Sequence, residues 1–449
     1  MTTDSRALAP AAPIAAALGA LGLYLYCFFP GSMSPDSAYA WWMARGGESD
    51  NVQGVGLAWL WRVTDHVLAG PAGPFLTIHA LFWAGLCLIA LALPARPLAR
   101  AAFVLAAGFA PVCCVLLSHV WSDVALMAML TAATAALLRF RDDGRKAWLA
   151  LALLLLWWSL LLRHNAVPAV APLFAYAALL WNRNATRPET APRIRRVALA
   201  CAVAAALWLA SVGADRVVDQ RADVFPSLAL WDLAAISLAA DRVLLPPASH
   251  GPGLDVADLR RAYTPYANLT LFIGTRAGIG APFPDAGDPL NAVIVDAWWH
   301  AIGDYPRAYL AHRWRVTRGL FGARPREWPH ELVYVDGDVD YRNNPPVVAN
   351  ATPLHGVVVR AFEAARDTLV LAAWPYLLLA LAALAIAWRR RAHANAQAAI
   401  AVLVSGLLYA APLPFIAPSA ELRYVGWTCL AALIGAALAF SAPRDDDGP

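Results

Sequence analysis

Long apolar runs separated by short polar breaks make up most of this chain. A helix that crosses a bilayer needs roughly 20 mainly apolar residues. About ten runs meet that length, at 10–30, 72–93, 99–117, 121–138, 147–162, 166–181, 197–214, 369–388, 397–416 and 424–441. Between the seventh and eighth runs the pattern changes. Residues 216–368 mix acids and bases, are rich in Pro and Gly, and form the only stretch long enough for a domain outside the membrane. Within it, 290–322 shows helical spacing broken at Pro306. It sets Trp298, Tyr305, Tyr309 and Trp314 among Arg307, Arg313, Arg315 and Arg318, a mixture favoured at a headgroup layer. The remainder, including Val333 to Asp340, reads as short strands and turns, and its acids do not follow the EF-hand spacing.

The expected fold is therefore an all-α polytopic membrane protein of about ten transmembrane helices. One mixed domain lies between the seventh and eighth. Residues 1–215 form a seven-helix membrane core with a first outer loop at 31–71, residues 216–368 the outer domain, and residues 369–449 three further helices and a tail.

Composition strengthens this reading. With 60% hydrophobic and 15% charged residues over 449 positions, and a mean hydropathy of +0.52, the chain is too apolar to hide its side chains in a soluble core. The first run is longer than the apolar core of a usual cleaved signal, and the small-residue stretch Ala15 to Ala17 lies inside it, so the run is read as retained. The six cysteines, Cys27, Cys87, Cys113, Cys114, Cys201 and Cys429, fall within the runs and form no CxxC or zinc pattern; they read as small packing residues. GxGxxG and GxxxxGK are both absent, which argues against a cytoplasmic nucleotide-driven motor, and no feature points to nucleic acid.

The net charge of +4 says little, but its distribution gives an orientation. Basic clusters at Arg96/Arg100, Arg139 to Lys146, Arg183 to Arg196 and Arg389 to Arg391 occupy alternate loops. With ten spans and a cytoplasmic N-terminus, all four face the cytoplasm, as the positive-inside rule requires, and both termini are cytoplasmic. Near-exclusive use of Arg over Lys and the Ala-rich spans suggest a GC-rich bacterial genome, hence a bacterial inner membrane with the opposite face towards the periplasm.

That opposite face gathers five stretches: the 31–71 loop with Asp36, the turn Ser118 to Asp123, the break Arg163–His164–Asn165, the 216–368 segment, and the hinge Pro418 to Tyr424. Asp36 stands out, because a carboxylate at the point where a helix leaves the hydrocarbon stays hydrated and available for chemistry. His119 and Asp123 share a face if a helix has already begun there; otherwise Ser122 or Asp123 is an N-cap. Arg163 and Arg423 sit where a lipid phosphate would lie, or else snorkel to headgroups or pair with Glu421 and a neighbouring acid. His164 and Asn165 contact a hydroxyl or phosphate, or satisfy the broken helix. His79, in mid-span, reads as an interhelical hydrogen bond. Trp41, Trp42, Trp59 and Trp61 read as an interfacial helix pair.

An acid in the first outer loop, a second at the outer start of a later span, and a late Arg–Tyr pair before the last span together resemble the GT-C superfamily of integral-membrane glycosyltransferases. In this chain those positions are Asp36, Asp123 and Arg423–Tyr424, and the likeness covers 1–215 and 369–441. The first motif departs from the family's frequent Asp–Glu, since Asp36 is followed by Ser37. The resemblance implies inverting transfer of a sugar from a polyprenyl-phosphate donor to a lipid or cell-envelope glycan. Asp36 would be the general base and Asp123 a second catalytic acid. Arg163, Arg423, His119 and Tyr424 would face the donor phosphate, and His164 and Asn165 the acceptor or phosphate. The candidate cofactor is a divalent cation held by Asp123 and His119 against the donor phosphate. The alternatives are a polysaccharide polymerase or ligase using the outer arginines, and a lipid or glycan flippase, which would carry ionisable residues near the midplane.

Overall fold

The computed structural model describes residues 4–184, 193–214, 216–274, 278–280, 283–323, 334, 339–348 and 352–441. It is helical, at 73% helix, with no strand among the described residues. Five segments are long and apolar enough to cross a membrane: Pro10–Phe28, Ala72–Ala92, Ser122–Asp143, Ala394–Ile416 and Leu422–Ser441. The other apolar runs are also helical, among them Lys146–Leu162, Val167–Asn184, Arg193–Ala214 and Trp374–Arg389. The run expected at 99–117 is two helices, Pro97–Gly108 and Pro111–Leu116. Pro111 offers no N–H to a continuing ladder and holds Ala110 in extended backbone, so the helix must restart.

Small residues set the closest helix contacts. A side chain at Gly406 would meet Ala431 Cβ at 2.6 Å, and one at Gly435 would meet Leu403 Cγ at 2.3 Å, so Ala394–Ala410 and Gly426–Ser441 pack backbone against backbone. His79 bridges helices as expected: its Nε2 lies 2.9 Å from the Leu117 carbonyl, and Trp83 Nε1 donates to its Nδ1 at 3.3 Å. All six cysteines are free, and most are buried.

The 216–368 segment differs from its expected mixed character. Its described residues form helices, chiefly Phe225–Ala240, Pro289–Asp304, Pro306–Leu320 and Pro353–Ala365, with isolated bridges where strands were expected. Most of 333–340 lies outside the described residues. The break at Pro306 falls where the sequence places it. Aromatic residues on both sides of the break divide by exposure: Trp298 and Tyr309 are buried in a second apolar core, while Trp299 and Trp314 are each 62% exposed. Phe225–Ala240 is covered on two sides. Leu228 and Trp231 belong to the large core, while Leu230, Leu233 and Ile236 belong to the second.

Candidate functional site

Two helix starts are brought side by side. Ser32 N–H donates to the Ser118 carbonyl at 2.8 Å and Val120 N–H to the Ser32 carbonyl at 3.1 Å, tying the first loop to the turn before Ser122–Asp143. Gly31 permits this approach. Its φ is +110°, and a Cβ there would meet Phe75 and Val120 side-chain carbons at 2.7 Å. Asp36 is not in a loop, as its polar surroundings suggested, but in the first turn of the helix Pro35–Ala44. Ser34 caps that helix reciprocally with Ser37, and Pro35 opens it. Trp121 Nε1 donates to Ser34 Oγ at 2.8 Å, and Ser37 Oγ to the Val120 carbonyl at 2.8 Å. Each helix therefore presents an aspartate in its first turn, where the peptide dipoles favour negative charge.

Between these helix starts lie two arginines from elsewhere in the chain. Arg163 ends Lys146–Leu162 in extended backbone. Arg423 sits in the short 3₁₀ turn Leu422–Val425 that leads into Gly426–Ser441. Arg423 Nη1 donates to Asp36 Oδ2 at 2.5 Å. Its Nε lies 2.5 Å from Glu421 Oε2 and 3.8 Å from Asp123 Oδ2, near in distance but without hydrogen-bond alignment to either. Arg163 Nε stands 3.2 Å from Asp123 Oδ1, towards which Tyr409 Oη also points at 3.5 Å. Tyr424 lies under both guanidinium groups at 5.4 Å, and Trp121 lies 5.2 Å from that of Arg423.

Three carboxylates thus face two guanidinium groups, a formal charge of minus one. Exposure is graded across them: the side chains of Asp123, Arg423, Glu421 and Asp36 keep 1%, 10%, 19% and 34% of their surface open. Asp36 is the mouth of the cluster and Asp123 its floor. Burial pushes the Asp36 carboxyl up, but Arg423, with help from Arg163 and Gln53, outweighs it and holds Asp36 below the usual carboxylate range. Three buried polar atoms in or beside the cluster, Asp123 Oδ2, Arg423 Nε and Asn165 Oδ1, lack hydrogen-bond partners. Unsatisfied atoms of this kind in a native fold call for an explanation such as a ligand.

The sequence-selected residues divide accordingly. Asp36, Asp123, Arg163, Arg423 and Tyr424 converge. Asn165 joins them beside Tyr409, while His164 next to it is exposed. His119 does not share a helix face with Asp123, because the helix begins only at Ser122 with Trp121 as its cap. Its ring is fully buried, stacked on Trp121 at 3.8 Å, with Nδ1 near Ser118 Oγ and the Val115 carbonyl. It is the second layer behind the cluster. Neither Ser122 nor Asp123 caps the helix. Among the described residues no three His, Cys, Asp or Glu side chains are grouped to hold a metal, and Asp123 turns to arginines instead. Trp41 and Trp61 are buried: they stack at 6.0 Å in the core, bonded to Asp65 and to the Gly70 carbonyl.

The pairing of Arg423 with Glu421 is the structural alternative realised, with Asp36 and Asp123 added to it. Tyr409 and Ser419, whose hydroxyl donates to Glu421 at 2.5 Å, carried no sequence signal beyond being polar residues at span ends. Comparison with protein-family models, with curated proteins and with solved structures finds no match to this chain. The geometry is therefore the ground for a functional reading. It joins a partly exposed carboxylate, a largely buried pair of guanidiniums suited to a phosphate, and buried polar atoms that make no hydrogen bond.

Proposed function

We propose that the chain is a membrane glycosyltransferase of the GT-C kind, moving a sugar from a polyprenyl-phosphate donor to a lipid or glycan acceptor. One observation carries the reading. Asp36 and Arg423, 387 residues apart in sequence, are in direct contact, with Asp123 and Arg163 completing one cluster. The proposal includes about ten membrane spans, a bacterial inner-membrane location with cytoplasmic termini, and a site on the periplasmic side beside the 216–368 segment.

In the proposed reaction the acceptor oxygen attacks the anomeric carbon. Asp36 takes the hydroxyl proton, the new C–O bond forms with inversion, and the bond from carbon to phosphate oxygen breaks with its electron pair staying on the lipid phosphate. Arg423 and Arg163 meet the charge that gathers there.

The resting pairing gives this sequence an order. An Asp36 held low by Arg423 is a weak base. A donor phosphate competes for the same guanidinium, and Asp36, the most exposed of its three carboxylate partners, is the one displaced. Loss of Arg423 and the negative charge of the arriving phosphate both lift Asp36, so the base strengthens only once the donor is bound. The test is lipid-carrier profiling and glycan analysis in a deletion strain complemented with wild type or with Asp36→Asn. The variant is expected to insert normally and to leave the glycan unmodified, with charged carrier accumulating. Wild-type glycan from Asp36→Asn removes Asp36 as the base.

A further inference from the structure

A second set of charges lies in the core shared by Phe225–Ala240 and Pro306–Leu320. Asp232, His312 and Arg313 are buried there, at 0%, 0% and 2% exposure. Asp232 Oδ2 accepts from Arg313 Nη2 at 2.7 Å and from Trp298 Nε1 at 2.8 Å, and its Oδ1 lies 3.1 Å from His312 Nε2. His312 Nδ1 meets Tyr263 Oη at 2.8 Å, and Trp231 lies edge-on to the His312 ring at 4.5 Å and 5.6 Å from the Arg313 guanidinium. The carboxylate, imidazole and phenol stand in a row, but Asp232 Oδ1 and His312 Nε2 are not aligned for a hydrogen bond and two of the three groups are sealed from solvent, so this is not a second reaction centre. Apolar side chains would fill this space at less desolvation cost, so the charges must supply something besides stability.

What they supply lies at the far end of the guanidinium. Arg313 Nη1 donates to the Ala417 carbonyl at 3.0 Å. The next residues are held the same way: Asn268 N–H donates to the Pro418 carbonyl at 2.9 Å, and Ala420 N–H to the Tyr266 carbonyl at 2.8 Å. The 216–368 segment therefore grips the backbone at 417, 418 and 420, immediately before Glu421 and Arg423. We infer that Arg313, clamped by Asp232, is a positioning residue that fixes the 417–421 backbone and so sets where Glu421 and Arg423 stand in the cluster. This deepens the proposed function and rests on Arg423 being the group that meets phosphate. A guanidinium is suited to the task because its fork bonds a carboxylate on one side and a carbonyl on the other, which an ammonium on a flexible stem cannot do with fixed geometry.

The test uses the full chain in lipid nanodiscs. Asp232→Leu/Arg313→Met removes both charges together and with them the bond to Ala417. Hydrogen exchange of the 417–424 peptide, which contains the Ala420 amide, is expected to quicken about tenfold or more while that of Ser122–Asp143 stays unchanged. Slowing of 417–424 exchange by added inorganic phosphate is expected in wild type and is lost in the double variant. Should the double variant fail to fold, Arg313→Lys keeps the charge beside Asp232 and is expected to show the same local quickening to a smaller degree. Unchanged 417–424 exchange in a folded variant overturns the positioning role. Absence of any phosphate effect in wild type counts against the functional reading alone, and the exchange comparison still decides the positioning.

Discussion

The two charge clusters use the same parts to different ends. Each sets aspartate against arginine over aromatic rings. Around Asp36 the exposure of the side chains is graded and the guanidinium is shared among three carboxylates. Around Asp232 the groups are sealed, one arginine serves one aspartate, and the guanidinium's spare nitrogen is spent on a backbone carbonyl. An arginine with surplus partners and an open side can change partner; one locked in a core can only hold. Exposure, more than residue type, separates a cluster able to do chemistry from one that is a strut.

The largest effect that would break this comparison is at Asp36. Asp36→Asn is expected to lower transfer by about 10²–10⁴-fold, the usual contribution of a general base, with little change in thermal stability. A similar loss from a strut residue without structural change would erase the distinction.

Next comes Arg313→Met alone, which leaves Asp232 buried and unpaired. It is expected to destabilise by about 3–5 kcal/mol in chemical unfolding, whereas Asp232→Leu/Arg313→Met, which strands no charge but leaves the Trp298 N–H unpaired, is expected to cost less, about 1–3 kcal/mol. Equal destabilisation by both would mean the pair itself, not its completeness, holds the core.

A third, smaller effect separates the free protein from the proposed donor complex. Because Arg423 holds Asp36 low in the free protein, the acid limb of kcat/KM is expected below the usual carboxylate range. The acid limb of kcat, set by the donor complex, is expected at higher pH. Coincident limbs would contradict an exchange of partners.

The smallest effect is at His312. Burial, helped by Arg313 and only partly opposed by Asp232, lowers its pKa, so the folded chain must accept a proton at a cost on the acid side. Stability is therefore full above the ordinary histidine value of about 6.5 and falls as pH drops below it. His312→Gln should flatten that slope in a thermal-shift series; an unchanged slope would assign it to other groups.

How much of this was legible in the sequence follows from which interactions are local. Apolar runs report helices because burial has a period, and each of the ten is largely helical, with restarts at Pro111 and Pro412 and a separate short turn, Leu369–Leu371, before Trp374–Arg389. The convergence of Asp36, Asp123, Arg163 and Arg423 followed from counting loops. That Asp36 opens a helix was also written locally, in Ser34–Pro35–Asp36, a cap, a proline and an acid in order, but the polar character of the stretch suggested a loop. His119 went astray because the helix begins at Ser122, three residues later than a face shared with Asp123 requires. Asp232 is a lone acid inside an apolar run from Phe225 to Ala240. Its partners come from a helix some 80 positions on, a distance over which no local pattern speaks.

The central claim is that an anionic lipid takes Arg423 from Asp36, and binding of polyprenyl monophosphate to the purified chain tests it most directly. With one competing carboxylate gone, Asp36→Asn is predicted to bind the lipid at least as tightly as wild type while Arg423→Gln binds it at least tenfold more weakly. Weaker binding by Asp36→Asn, or undiminished binding by Arg423→Gln, would contradict it.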